Sequence, residues 1–437
     1  MKWMFIKHQI KSNKLFKPKN INLFTLILFL SLASCLDKKD TMPVLTESVN
    51  LDHFNHLFKE IELNGKEVAI VHIYSEYPNY DFEIEPNEGF TCVDDVARSI
   101  VMLSKYLEEH KSDIEVLNKM KMLTEFVLQM QNENGYFNNF IWNDLSINKT
   151  YKTSIAELNW WSFRALWALE SAYGLLKSDI EMAGRIIAAS NKLLLNIKRD
   201  IPINNVEIEI LETLEVPTWL PQKYASDQSA VLILGLLKNY ERTADEEIKL
   251  LINALAKGIM VMQKGDANNY PYGAFMSWQN LWHAWGNGQS YALLKAGQKF
   301  DNQSYIESAL KEIDNFYPYL LKNGFAEAFW IQRTEDNKYI ETRRNSYPQI
   351  TYGLRPMIWA ASEAYHYSKD DKYLRLSNEL DSWLSGNNDA KTVIYYPETG
   401  ICFDGITSKD AVSRNSGAES TIESLLIKLE MQNLNRQ

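Results

Sequence analysis

Residues 155–176 read IAELNWWSFRALWALESAYGLL, and residues 180–197, just after them, read IEMAGRIIAASNKLLLNI. The first segment is apolar or small almost all round. The second is amphipathic with a charged face. A helix that is hydrophobic on every side is buried, whereas one with a polar stripe meets water. The pair therefore reads as an inner helix followed by an outer one.

Working outward in both directions, the same pair recurs. Further inner-type segments are VDDVARSIVMLSKYL from Val93, SDQSAVLILGLLKNY from Ser226, LWHAWGNGQSYALLKAG from Leu281, PQITYGLRPMIWAASEAY from Pro348 and GAESTIESLLIKLE from Gly417. Amphipathic segments run over Leu51–Leu63, Ile114–Gln131, Glu246–Gln263, Tyr305–Leu321 and Lys372–Leu384. Asp94, Glu157, Asp227, His283, Gln349 and Glu419 mark the inner starts, at separations of 63, 70, 56, 66 and 70 residues. A recurring helix pair indicates a stacked or closed repeat architecture. The series opens on an outer helix and ends on an inner one, and those two can pair to close a ring. The expected fold is all-α, an (α/α)6 toroid of six helical hairpins. An open solenoid is the rival, but its repeats are usually shorter and more regular.

The connections are unequal. Inner-to-outer links are short, at 109–113, 177–179, 242–245, 299–304 and 369–371. Outer-to-inner links are long, at 132–153, 198–225, 264–280, 322–346 and 385–415. All the long loops thus meet at the rim where the inner helices begin. Long loops on a compact scaffold commonly carry function, so the site is expected there.

The N-terminus has a different character. Residues 1–20 hold six lysines and no acid, and residues 21–34, INLFTLILFLSLAS, hold no charge. That is the pattern of a secretory signal, too short for a comfortable membrane span. Leu32-Ala33-Ser34-Cys35 resembles the lipobox of bacterial lipoproteins. The resemblance implies a signal peptide at 1–34 and lipidation (palmitate among the acyl chains) at Cys35, which anchors the protein to a membrane. Residues 35–48 then form a polar tether and 49–437 the toroidal domain. The expected location is the periplasm or the outer-membrane surface.

Net charge is −10, and residues 1–34 contribute +6, which leaves the remainder at −16. An acidic domain without a basic stripe argues against nucleic acid as a partner. Only Cys92 and Cys402 remain after Cys35; one disulfide is possible, but two cysteines do not make a disulfide scaffold. No clustered His/Cys spacing suggests a metal site. No glycine loop precedes a helix to cradle phosphate. No cofactor is expected.

Several inner helices begin on an acid. Thr91-Cys92-Val93-Asp94, Ser154-Ile155-Ala156-Glu157 and Ser416-Gly417-Ala418-Glu419 each fit a capping box, whose acid reaches back to a backbone N–H. The same geometry also rings the central mouth with carboxylates. Asp95 is the first catalytic candidate, with Asp94 as its alternative: Asp94 can pair with Arg98 at i+4, which leaves Asp95 free. Glu157, Asp227 and Glu419 are the possible partners across the cavity. His283 lies between Trp282 and Trp285, either as a core histidine or as a base. Aromatics crowd the long loops and the inner starts. Trp142, Trp160, Trp161, Trp278, Trp282 and Tyr347, with Arg98, His283 and Gln349, are candidate substrate contacts, because aromatic faces suit the C–H faces of sugars. Arg355 and Arg414 are either uronate-binding groups or structural ion pairs.

EGFTCVDDVAR (88–98), QNENGYF (131–137), AELNWWSFRALWALE (156–170) and SGAESTIESLL (416–426) resemble segments of the six-hairpin glycosidase superfamily. The resemblance covers roughly residues 50–435 and implies a toroid that handles an oligo- or polysaccharide. Fold alone does not fix chemistry. The leading expectation is a glycoside hydrolase with paired carboxylates. The alternatives are a polysaccharide lyase or uronate-processing enzyme using His283, Tyr347, Tyr352, Arg355 and Arg414, and a non-catalytic glycan-binding lipoprotein. QNENGYF and the Asp94-Asp95 pair faintly suggest a terpenoid cyclase, which export disfavours.

Overall fold

The structure, a computed structural model, describes residues 49–436. The expected signal segment 1–34, Cys35 and the whole expected tether to residue 48 lie outside the described residues. Six inner helices are present: α2 (Val93–Glu109), α4 (Trp160–Leu176), α6 (Ser226–Thr243), α8 (Gln289–Phe300), α10 (Thr351–Ser368) and α12 (Ala418–Asn435). They alternate with outer helices α1 (Asp52–Leu57), α3 (Ile114–Gln129), α5 (Ile180–Asp200), α7 (Glu246–Val261), α9 (Gln303–Asn323) and α11 (Asp371–Asp381). Each inner helix packs on the next, and α12 packs on α2, so the inner ring is closed. Each outer helix packs on the inner helix before it, and α1 packs on α12. This is the (α/α)6 toroid that the repeat implies.

Local sequence explains the turns. Asp113, Asp179, Asp245, Asn302 and Asp370 cap α3, α5, α7, α9 and α11, each side chain accepting a backbone N–H of the first turn. Ala244, Asp301 and Lys369 take left-handed φ of 50°, 51° and 57° at the ends of α6, α8 and α10. That conformation stops a helix within a residue and keeps these links short.

Three inner or outer segments differ from expectation. The outer helix expected over Leu51–Leu63 stops at Leu57, and Phe58–Leu63 pairs as a strand with Lys66–Val71. The cause is Asn64-Gly65, both at positive φ, a two-residue turn that fixes a hairpin. The inner helix expected from Ile155 begins at Trp160, where the Asn159 side chain caps it. The one expected from Leu281 begins at Gln289. Leu281–His283 is instead a strand beside Ala328–Arg333, which pairs in turn with Tyr339–Asn345. Small strand pairs of this kind build much of the long-loop rim.

The core holds many of the aromatics that the loops supply. Trp161, Trp282, Phe137, Phe275 and Phe329 are among the most deeply buried side chains. Trp161 donates its indole N–H to the Ile155 carbonyl, and Trp282 stacks on Phe329 at 5.0 Å. Both rings are buried in the core. Cys92 and Cys402 are buried free thiols, so no disulfide joins them. Among the described residues no helix is long and apolar enough to cross a membrane.

Candidate active site

The carboxylates at the inner-helix starts are not the capping boxes that spacing suggests. Thr91 is held in a strand pair with Ile141, so the cap falls one residue later. Cys92 Sγ accepts the Asp95 N–H and donates to Asp95 Oδ2 at 3.3 Å. Ser154 is not a cap either; its hydroxyl accepts from the Asn139 and Phe140 amides. Glu157 consequently stays half-buried in the turn before α4, bonded to Asn159 Nδ2 at 3.0 Å. At α12 no side chain caps the first-turn amides, and the half-buried Asp404 accepts from the Gly417 N–H and the Ser420 hydroxyl. Ser416 is occupied by the Cys402 amide. Glu419 is therefore released from the helix end.

The shift in α2 also exchanges the roles of the two aspartates. Arg98 pairs with Asp95 at i+3, Nη1 to Oδ1 2.6 Å, and not with Asp94. Residues adjacent on a helix point about 100° apart, and Asp94 turns toward α4, where Arg164 Nη1 lies 3.4 Å from its Oδ1. That contact is an ion pair without hydrogen-bond alignment, since neither atom has a hydrogen-bond partner within the protein. The Arg98 guanidinium also reaches α12, with Nη2 2.9 Å from Glu419 and Nε 3.3 Å from Glu423. Arg355 on α10 closes on the other Glu423 oxygen at 2.6 Å. Arg164 donates to the Tyr352 hydroxyl at 2.5 Å. The Tyr352 ring faces Arg98, Arg164 and Arg355 at 4.5, 5.2 and 5.5 Å, a favourable geometry for cations. The network thus ties α2, α4, α10 and α12 together.

Glu419 differs from its neighbours in one decisive respect. Its side chain is 40 % exposed, against 5 % for Asp95 and 0 % for Glu423. Protein nevertheless surrounds it closely. Burial pushes its carboxyl up to about 7, Arg98 opposes that, and Asp95 and Glu423 add to it. Burial likewise raises Asp95, with Arg98 pulling it back down. The Tyr352 hydroxyl is also raised by burial, against the pull of Arg164 and Arg98.

A second cluster stands on α6 and the segment before α8. His283 Nε2 lies 2.8 Å from Asp227 Oδ2, and its ring stacks on Trp285 at 3.9 Å. His283 Nδ1 has no hydrogen-bond partner within the protein, nor do Gln228 Oε1 and both amide atoms of the buried Asn287. Gly286, at φ +71°, wedges between α4 and α10: a Cβ there would stand 2.8 Å from both Trp160 Cη2 and Tyr352 Oη. This segment brings the histidine cluster and the arginine network to one rim.

The remaining candidates are dispersed. Trp160 faces Arg164 at 5.1 Å. Tyr347 and Gln349 both donate to Asp389, away from the arginine network. Trp142 and Trp278 are half-buried on the loops. Arg414 is exposed beside Tyr77. Sequence reasoning missed Glu423, Arg164 and Asp404. The first two left a signal: Glu423 follows Glu419 at i+4, one helix face, and Arg164 is a cation inside an apolar helix. Among the described residues, no three His, Cys, Asp or Glu side chains are grouped to hold a metal.

No protein-family model matches the chain, and no curated protein is similar to it in sequence. Solved structures match it in fold. Cellobiose 2-epimerase from Bacillus thermoamylovorans B4167 superposes with a TM-score of 0.59 at 12% identity, over 84% of this chain and 92% of that one. The chain has the same toroidal fold. A D-mannose isomerase gives 0.55 at 12% identity, over 83% and 92%. A family 76 glycoside hydrolase from a bovine Bacteroides thetaiotaomicron strain gives 0.53 at 10% identity, over 86% and 74%. At such identities the likeness is one of architecture.

Proposed function

We propose that this protein is a carbohydrate-active enzyme, and that it hydrolyses glycosidic bonds of an oligo- or polysaccharide at the rim where α2, α4 and α12 begin. The observation that carries the reading is Glu419: a solvent-reachable carboxyl held near pKa 7 beside a buried arginine. A general acid needs its pKa close to the working pH. Protonated Glu419 delivers its proton to the glycosidic oxygen as the C–O bond breaks, and water supplies the new hydroxyl. A hydrolase also needs a second carboxylate. Asp95 stands beside Glu419 on the same guanidinium, and Glu157 is half-buried before α4; amide variants of each discriminate between them. Buried polar atoms without protein partners, on Gln228, His283 and Asn287, suit a ligand rich in hydroxyls. The solved toroids of similar fold include a glycoside hydrolase.

The test is product mass. The domain is incubated with a panel of oligo- and polysaccharides, and products are weighed. A gain of one water per cleavage, absent in Glu419→Gln, supports hydrolysis. Unsaturated fragments without added water would replace it with elimination.

A second reading rests on the His283–Asp227 pair. A histidine oriented by a carboxylate through one nitrogen, with the other unpartnered, is equipped to move a proton at carbon. Sugar epimerisation or isomerisation uses that step, and an epimerase and an isomerase are among the similar folds. Products of unchanged mass, with deuterium taken up from solvent, would favour it.

Location is proposed from sequence alone: Cys35 carries the lipid that attaches the protein to a membrane. Radiolabelled palmitate incorporation that Cys35→Ser abolishes is the expected result.

A further inference from the structure

A cavity of about 540 Å³ opens on the rim beside α9, lined by Tyr270, Tyr319, Phe325, Tyr339 and Tyr347. It includes none of Asp95, Glu419 or His283. Its walls come from four places in the chain: the loop before α8, the end of α9, the strand Tyr339–Asn345 and the turn after α11. The five aromatics are all half-buried, so each has a packed side and an open side. Tyr319 packs on Tyr272 at 4.8 Å and edge-on to Tyr270 at 6.0 Å, and Tyr270 leans on Phe329 at 5.9 Å. Tyr270 and Tyr319 are thereby fixed, and little side-chain freedom is lost when a ligand covers them.

The polar groups of the cavity are also fixed, and each keeps capacity to spare. Arg344 grips Glu341 through Nε and Nη2 at 3.0–3.2 Å, and Tyr270 donates to the same carboxylate at 2.7 Å. These bonds leave Arg344 Nη1 unused. Asp389 accepts from Tyr347 at 2.8 Å and Gln349 at 3.0 Å, both on Oδ2, which leaves Oδ1 for another donor. A fixed donor, a fixed acceptor and several aromatic faces are the parts that recognise a sugar ring, whose faces are C–H and whose edges are hydroxyl. Two carboxylates against one guanidinium make the cavity net negative, which disfavours uronate or sulfated units.

We propose that this cavity is a binding subsite for neutral oligosaccharide, separate from the arginine network at the mouth. Its occupant is a hexose or pentose chain that stacks on Tyr339 and Tyr319 and gives a hydroxyl hydrogen bond to Asp389. The subsite does not depend on the chemistry assigned to Glu419, because it holds saccharide without turning it over.

The experiment measures binding by titration calorimetry to the full chain carrying Glu419→Gln. The probes are cellohexaose, mannohexaose, xylohexaose and maltohexaose, with hexagalacturonate as the charged comparison. At least one neutral probe is expected to bind and hexagalacturonate to bind more weakly. Tyr339→Ala is expected to weaken the neutral probe about tenfold, and Asp389→Asn about fivefold. Asp389→Asn keeps the shape of the side chain, and melting curves confirm that both variants fold. Three results would overturn the proposal: no neutral probe binding at millimolar concentration, binding unchanged in both variants, or preference for hexagalacturonate. None of them bears on Glu419, whose reading fails or stands on product mass.

Discussion

Arg98 and Glu419 are joined by a 2.9 Å ion pair in which the arginine is buried and the carboxylate is 40 % exposed. The pair makes Glu419 a proton donor only while it is protonated. Burial sets its pKa near 7, with Arg98 opposing. Hydrolysis is therefore expected to fall as pH rises through about 7, because the acid form is lost. Replacing Arg98 removes the opposing pull, so in Arg98→Met the alkaline limb moves to higher pH. A pH–rate profile for both proteins checks the sign.

Arg98→Met also tests the network as a structure. The change leaves Asp95 without its cation and Glu423 with Arg355 alone. Breaking a buried ion pair on one side costs about 3–5 kcal/mol, and chemical denaturation should report a loss of that size. Arg98→Lys keeps the charge but not the planar fork, which spans three carboxylates, and should recover only part of it.

Gly286 is where the backbone itself shapes the site. Its positive φ and the 2.8 Å approach to Trp160 and Tyr352 leave no room for a side chain. Gly286→Ala should cost about 1–3 kcal/mol and lower kcat sharply by displacing the histidine segment from the arginine network. Gly65, at φ +72° with nothing within 4 Å of an added Cβ, is the control. Gly65→Ala should lower Tm modestly and leave turnover unchanged.

A different carboxyl governs stability. Glu312 on α9 is fully buried, and its partners are neutral: the Phe275 amide and the Ser290 and Tyr317 hydroxyls. Burial pushes it up to about 7 from an ordinary 4.5, the three hydrogen bonds opposing. The folded state thus holds a proton that the unfolded state releases between pH 4.5 and 7. Stability is full below that window and falls as pH rises through it, by on the order of 3 kcal/mol. Glu312→Gln should flatten that part of the Tm-against-pH curve.

The ring was legible because it is written in long periodic segments. Buried helices such as α4 and α6 are apolar on every side, and no other packing hides them. The outer helices announce their starts with Asp113, Asp179, Asp245 and Asp370. The first outer segment was misread because a helical pattern over Leu51–Leu63 outweighed Asn64-Gly65, a turn signal that lies just beyond it. The site was legible as a rim but not as contacts. Capping-box spacing at Thr91, Ser154 and Ser416 is local, whereas what engages these residues is distant in sequence: Ile141 pairs with Thr91 as a strand, and the Asn139 and Cys402 amides donate to the Ser154 and Ser416 hydroxyls. Likewise the choice of Asp95 over Asp94 by Arg98 depends on Cys92 serving as the cap. Tertiary partners decided each case.

Protonation of the leaving group by Glu419 is read out by leaving-group dependence. Once the panel has identified the scissile sugar, kcat is measured for wild type and Glu419→Gln on the natural oligosaccharide and on its 2,4-dinitrophenyl glycoside, whose leaving group needs no proton. Loss of the acid should slow the oligosaccharide by about 10²–10⁴-fold and leave the activated glycoside nearly as fast as with wild type. Equal loss on both substrates, or none on either, would contradict the assignment.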